Sequence, residues 1–461
     1  MKNRDDPPAQ AGNPTTAQYP RQATQRKAME PDQADDVGVH VVPTPAILSH
    51  GLRPMRGRDP LERNRVATPL ELLFDLTFVA GFSMAADQAS HYAAEAHWGT
   101  ALGGLGIAMF ALYWAWLNCT WFASAYDTDD WLCRLLTMAE MVGALVLALG
   151  LAPMFRSIDE ATTAGNDLMV IGYVAIRVAL VAQWLRAARQ DPLRRRATVT
   201  MAISVFLAQV GWITLLALRD APWSPFALVL VLAADLGAPI AVDRLRGGIP
   251  WHAHHVAERF GLLAIIALGE AVSGTIAAVS AVVERNGWSA EAALIVVAGT
   301  ALTLGSWWVY FIVPSAFVLE RRRQLGKFWS YFHVLVFTSI VAMGAALHLA
   351  AYVTEGGAAI GPVSALVATV VSVFVFVVAV FVLYSVLVRE IDRFHYALVA
   401  GTLAFLILAV ALVALGASLG VALLAVAAAP FVVVIGYETL GHQHEASALE
   451  RLAITTGTPA T

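Results

Sequence analysis

The chain has 461 residues, of which 58% are hydrophobic and only 14% charged, with a mean hydropathy of +0.65 and a net charge of −4. A soluble domain needs about a quarter of its residues charged, so no water-soluble surface can be assembled from this composition. The basic residues sit in short clusters between apolar runs, which excludes a nucleic-acid-binding surface and marks them as topology signals. The two cysteines, Cys119 and Cys133, lie in or beside hydrophobic runs without disulfide-like spacing and read as reduced packing residues.

Residues 1–65 are rich in Pro, Gln and Asp and contain no apolar run long enough for a signal-peptide core or a packed helix, so they read as a disordered cytoplasmic tail. From residue 66 onward, apolar segments of about twenty residues or more alternate with short polar links, as a hydrocarbon core about 30 Å thick requires of α-helices. The pattern predicts an all-α, polytopic membrane protein with about twelve helices, near 69–90, 98–123, 131–154, 168–187, 198–218, 224–243, 256–283, 291–318, 327–353, 361–388, 394–415 and 418–437. A short cytoplasmic tail, 441–461, follows.

Loop charges test this count, because one false helix would put them out of phase. Arg53, Arg56, Arg58, Arg63 and Arg65 precede the first helix, Arg186 to Arg196 follow the fourth, and Arg244 and Arg246 the sixth. Arg321, Arg322, Arg323 and Lys327 follow the eighth, and Arg389 and Arg393 the tenth. Only Arg156, Arg219 and Arg285 occupy the opposite loops. Both termini are therefore expected in the cytoplasm, with the chain in the inner (plasma) membrane.

The chain also aligns on itself. With Trp114 set against Trp307, Glu140 and His333 each follow 26 residues later, and Pro239 and Pro430 follow 125 and 123 residues later. Residues 66–243 and 244–440 thus read as two six-helix halves of the same orientation, an arrangement used by transporters.

An ionisable side chain in hydrocarbon costs about 2.5–3.5 kcal/mol on insertion scales, so each must be paired, hydrated or functional. The mid-helix candidates are Asp75, Glu140, Arg177, Asp235, Glu270 and His348, with His333 nearer the cytoplasmic side. Thr68-Pro69-Leu70-Glu71 forms a capping box, which accounts for Glu71. Asp75 lies one turn deeper and needs a cation; Asp75–Arg177 and Glu140–Arg177 are both open. Asp235 lies four residues before Pro239, which leaves its carbonyl without a helical donor, and with Pro430 suggests paired helix interruptions at a binding site. Glu270, between Gly269 and Ser273-Gly274, is the first choice for a functional carboxylate. Arg259, eleven residues earlier, is too far to pair with it directly. His254, His255 and Glu258 could offer a metal set on one turn, but a solvated interfacial group is the better reading, and neither a metal nor a cofactor is assigned. Asp127, Asp129 and Asp130 cap the third helix or bridge to Arg134. No His-Glu-x-x-His, Gly-x-Ser-x-Gly or phosphate loop is present.

Three segments, Pro69-Leu-Glu-Leu-Leu-Phe-Asp-Leu-Thr-Phe-Val79, Tyr126-Asp-Thr-Asp-Asp130 with Arg134, and His255-Val-Ala-Glu-Arg-Phe-Gly-Leu-Leu-Ala-Ile-Ile-Ala-Leu-Gly-Glu270, resemble the bacterial low temperature requirement A family. The resemblance spans roughly residues 66–440; Thr77 departs from it in standing where an apolar residue is expected. It implies a multi-spanning membrane protein linked by name to growth in the cold, and brings in Glu71, Asp75, Asp127, Asp130, Arg134, His255, Glu258, Arg259 and Glu270 as family positions without assigned roles. The leading expectation is a proton-coupled secondary transporter or permease for an unknown small solute or ion. A non-transporting membrane scaffold or stress protein with structural ion pairs comes second, an intramembrane enzyme third.

Overall fold

The computed structural model describes residues 51–62, 65–162, 165–219, 221, 223–245, 248–389 and 393–456. Arg63, Arg246 and the first fifty residues, on which the tail and part of the loop-charge reading rest, lie outside the described residues. The helices are α1 (Pro69–Ala94), α2 (Trp98–Tyr126), α3 (Trp131–Leu149), α4 (Leu151–Asp159), α5 (Asp167–Gln190), α6 (Arg195–Ala217), α7 (Ser224–Val242), α8 (Ala253–Ala267) and α9 (Gly269–Asn286). They continue as α10 (Ala290–Phe311), α11 (Ser315–Arg321), α12 (Gly326–Glu355), α13 (Pro362–Val388), α14 (Arg393–Ala414), α15 (Leu419–Gly436) and α16 (His442–Thr456). Among the described residues eleven spans are long and apolar enough to cross a membrane, and the shorter Phe226–Val242 supplies a twelfth apolar segment. The protein is a polytopic all-α membrane protein, as its hydropathy predicts.

Local chemistry explains the helix starts. Pro69 occupies the first turn of α1, Thr68 Oγ1 accepts the Glu71 amide at 3.2 Å and Glu71 Oε2 accepts the Thr68 amide at 2.8 Å, completing the capping box. Asp130 caps α3 by accepting the Cys133 amide at 3.0 Å.

In a bilayer, helix association relies on close backbone approach rather than on hydrophobic expulsion, so glycine marks the tightest crossings. A Cβ on Gly172 of α5 would stand 2.2 Å from the Leu147 amide of α3, one on Gly274 of α9 2.6 Å from the Gly344 carbonyl of α12, and one on Gly305 of α10 2.9 Å from Pro430 of α15. The α10–α15 crossing has no comparable α2–α7 counterpart among the described residues. The tryptophans aligned in sequence also differ in surroundings: Trp114 is buried edge-on against Tyr331 at 4.9 Å, whereas Trp307 is 39% exposed.

Among the described residues three helices are interrupted where the sequence reads as continuous, the first at Gly150 between α3 and α4. Leu268 separates α8 from α9, and the Leu268 carbonyl accepts the Ala271 amide at 3.1 Å, a locally tightened turn that contains Glu270. Residues 312–314 separate α10 from α11. By contrast, α7 and α15 run through Pro239 and Pro430, so the expected paired proline interruptions do not occur. Pro239 lies near the end of α7, where one missing amide does not break the ladder, whereas Pro430 lies inside α15 and the helix continues past it.

Residues 51–65, assigned to the tail by composition, instead form a strap with residues 66 and 67 over the arginine-rich end in their described part. The Met55 amide donates to Gln190 Oε1 (2.6 Å), the Gly57 amide to Asp191 Oδ2 (3.0 Å) and the Arg58 amide to the Ala125 carbonyl (3.0 Å), while the Met55 side chain is fully buried.

Candidate functional site

The most connected group of charges lies where α1, α2 and α8 meet. Arg259 Nε and Nη2 donate to Asp75 Oδ2 and Oδ1 at 3.0 and 2.5 Å, and Trp116 Nε1 donates to Asp75 Oδ1 at 2.6 Å. Arg259 Nη1 lies 2.9 Å from Glu71 Oε1, an ion-pair contact without hydrogen-bond alignment, and His255 Nε2 approaches Glu71 Oε2 at 3.2 Å. All five side chains are buried.

Of the two pairs left open for Arg177, neither forms, and the cation of Asp75 is Arg259. Asp75 and Arg259 each lie six residues past the first residue of helices that start at the same end, hence at equal depth, about 9 Å in. Arg177 pairs instead with Asp235, and so not with Glu140 either. Tyr173 Oη donates to Asp235 Oδ2 at 2.7 Å, and Trp212 Nε1 lies 3.4 Å from the same oxygen. Arg177 is fully buried, with Nε and Nη1 unpartnered.

A cavity of about 30 Å³ adjoins the Arg259 group, lined by Glu71, Asp127, Cys133, Glu140, Gln183 and Arg259 among others. It has room for about one or two waters. Glu140 is 2% exposed, and its Oε1 has no hydrogen-bond partner. Both cysteines are free and line this cavity. At its mouth, burial pushes the Asp127 carboxyl above the usual carboxylate range, and the nearby Glu71 charge adds to the shift.

Glu270 takes a third environment. It sits in the first turn of α9, accepts the Ser83 hydroxyl of α1, and packs its backbone against Gly344 of α12. It forms no ion pair among the described residues; the neighbouring charge is the carboxylate of the exposed Asp87. His348 shares that Asp87 field, and its Nε2 is buried without a partner. His333 meets neither acid: its Nδ1 faces the Trp329 carbonyl at 2.7 Å and its Nε2 the Tyr310 hydroxyl at 3.2 Å.

At the arginine-rich end, Arg186 holds Asp130 with both terminal nitrogens and also donates to the Arg53 carbonyl of the strap at 2.9 Å. Burial opposes the charge on Asp130, but Arg186 and the Cys133 amide together hold its carboxyl well below the usual range. Arg134 bridges Asp129 at 2.8 Å on the exposed side. Glu258 Oε2 accepts the Ala67 amide at 3.1 Å. The three histidines diverge, His252 to the Glu62 carbonyl (2.8 Å), His254 to Glu320 (3.4 Å) and His255 to Glu71. Among the described residues no three metal-ligating side chains are grouped to hold an ion.

The structure therefore assembles Glu71, Asp75, His255 and Arg259, places Glu140 and Asp127 beside them, and keeps Asp235–Arg177, Glu270 and His333 apart. Sequence reasoning missed Ser83, Trp116 and Tyr173. Trp116 stands in the Tyr-Trp-Ala-Trp segment and could have been weighed as a donor; Ser83 and Tyr173 carry no signal that marks them.

The model of the bacterial low temperature requirement A protein family (LtrA) matches residues 66–430. An uncharacterized protein of Rhizobium meliloti (strain 1021) is 26% identical over 275 residues, covering 57% of this chain and 61% of the relative. The chain thus spans less than two thirds of the length of that curated relative. No solved structure matches the chain.

Proposed function

The chain belongs to the bacterial low temperature requirement A family, and from that premise we propose that this multi-pass membrane protein is a proton-linked secondary carrier for a small solute. One observation carries the proposal: Glu140 and Glu270 are buried carboxylates with no cation partner among the described residues, whereas Asp75 and Asp235 each have an arginine. They lie at two depths, about 14 Å along α3 and about 26 Å along the α8–α9 segment from the arginine-rich end. A buried carboxylate without a counter-charge is most economically accommodated as the neutral acid, and an acid that alternates between neutral and charged forms is what proton carriage requires. The cavity beside Glu140 admits water but no larger solute, which suits a closed conformation of such a carrier.

Purified protein in proteoliposomes, driven by a pH gradient and read with a pH-sensitive dye against a panel of small solutes, tests the proposal. Wild type should show solute-dependent proton flux, and Glu140→Gln and Glu270→Gln, which imitate the neutral acids, should insert normally and lose it. Absence of wild-type flux, or normal flux in both variants, defeats the carrier reading. The scaffold reading draws on the Arg177–Asp235 contact, a deeply buried ion pair, and expects no flux from any variant. The arginine clusters further support an inner-membrane orientation with both termini cytoplasmic. Reporters fused after residues 192 and 219 should then report the cytoplasm and the outside respectively; the same side for both would refute it.

A further inference from the structure

A second and much wider cleft, about 800 Å³, opens at the arginine-rich end and plays no part in the carrier argument. Its volume falls in the range of small-molecule sites, about 300–1,000 Å³. The strap, the first turns of α8, the end of α10, the unwound residues 312–314 and α11 together form its walls. An interrupted helix lining a cavity is a recurrent way to build a solute site in a membrane protein.

The wall chemistry selects the sign of a ligand. Three carboxylates line the cleft, Glu62, Glu258 and Glu320, so an anion is disfavoured. Glu62 is already held by Arg58 at 2.6 Å, and Glu320 faces His254 at 3.4 Å and Arg321 at 3.5 Å. Glu258 has no ion-pair partner among the described residues; the Ala67 amide occupies Oε2 only. Arg65, the lining cation, is turned to the Ala123 carbonyl at 2.8 Å. Glu258 is thus the lining carboxylate without a direct cation contact among the described residues, and Tyr310 and Phe311, edge-to-face at 5.1 Å, stand in the same cleft. Aromatic faces attract cations, as neighbouring Phe317 illustrates by carrying the Arg321 guanidinium 3.5 Å above its ring.

We infer that this cleft binds a small organic ammonium ion, with Glu258 as its counter-charge and Tyr310 and Phe311 as its aromatic wall. Binding requires no flux, so the inference stands or falls apart from the carrier reading.

Calorimetric titration of the full chain in detergent with 3-hydroxyphenyltrimethylammonium, against its uncharged isostere 3-tert-butylphenol, tests it. Wild type should bind the cation about tenfold or more tightly than the isostere. Glu258→Gln, whose amide oxygen can still accept the Ala67 amide, should bring the two affinities together. Should that variant misfold, Tyr310→Ala should weaken cation binding about tenfold while Tyr310→Phe retains it. Repeating the titration in nanodiscs of phosphatidylglycerol with and without phosphatidylethanolamine separates the sources of ammonium. Weakened binding with phosphatidylethanolamine assigns the cleft to a lipid headgroup amine, unchanged binding to a free solute. Equal binding of cation and isostere by wild type, or a preference for the cation that survives Glu258→Gln, overturns the inference.

Discussion

Replacing Arg259 by alanine removes the shared cation of two buried carboxylates, Asp75 with no exposure and Glu71 with 6%. The structure separates two magnitudes. If the loss were only that of interhelical hydrogen bonds, it would amount to about 0.6 kcal/mol each, the typical value within membranes. If it is that of a buried ion pair broken from one side, it is about 3–5 kcal/mol, because carboxylates are left uncompensated. At 1.4 kcal/mol per tenfold, the second figure lowers the folded-to-unfolded ratio by a factor of about a hundred to a few thousand. Trp116 still donates to Asp75 and His255 still faces Glu71 in the variant, which places the expected loss toward the lower end of that range. Reversible unfolding in mixed micelles, followed by circular dichroism, measures it for Arg259→Ala and Arg259→Lys. Lysine restores the charge without the two-pronged contact and should recover part of the loss. Arg259→Ala within about 1 kcal/mol of wild type would refute the reasoning, since no desolvated pair could then exist at this position.

Gly172→Ala should lower the unfolding midpoint through an overpacking cost of about 1–3 kcal/mol, because its Cβ would meet the α3 backbone at 2.2 Å. Gly103→Ala, with no atom within 4 Å of the added carbon, is the control and should leave the midpoint unchanged or slightly higher. Asp127 has a carboxyl raised by burial, so the stability linked to its neutral form is complete below the unfolded value of about 3.9 and is lost as pH rises through the folded value. Asp127→Asn should therefore flatten the stability profile from about pH 4 upward, and an unchanged slope in the same unfolding assay would contradict the assignment.

Membrane class and helix count were legible because each segment carries its own hydropathy signal, which no distant contact can override. The capping box at Thr68-Glu71 was equally local. Charge pairing was not, because Arg259 was weighed only against Glu270 on its own segment, whereas its partner Asp75 lies 184 residues earlier in sequence. The two residues match only through helix depth, a relation that appears once both helix starts are known. Prolines misled in the opposite sense: α7 and α15 run through Pro239 and Pro430, while the breaks among the described residues, at Gly150, at Leu268 and at 312–314, include two with no proline at all. The strap was hidden by composition. Its backbone is held by side chains of Asp130, Gln190 and Asp191 that its own residues do not announce.

The central claim, that Glu140 and Glu270 are membrane carboxylates without a cation partner among the described residues, is tested most directly by infrared spectroscopy of the protonated-carboxyl stretch in the reconstituted protein at pH 7. Wild type should show the band, and Glu140→Gln and Glu270→Gln should each remove part of it. A wild-type spectrum without protonated carboxyl, or a band that survives both substitutions intact, would contradict the account.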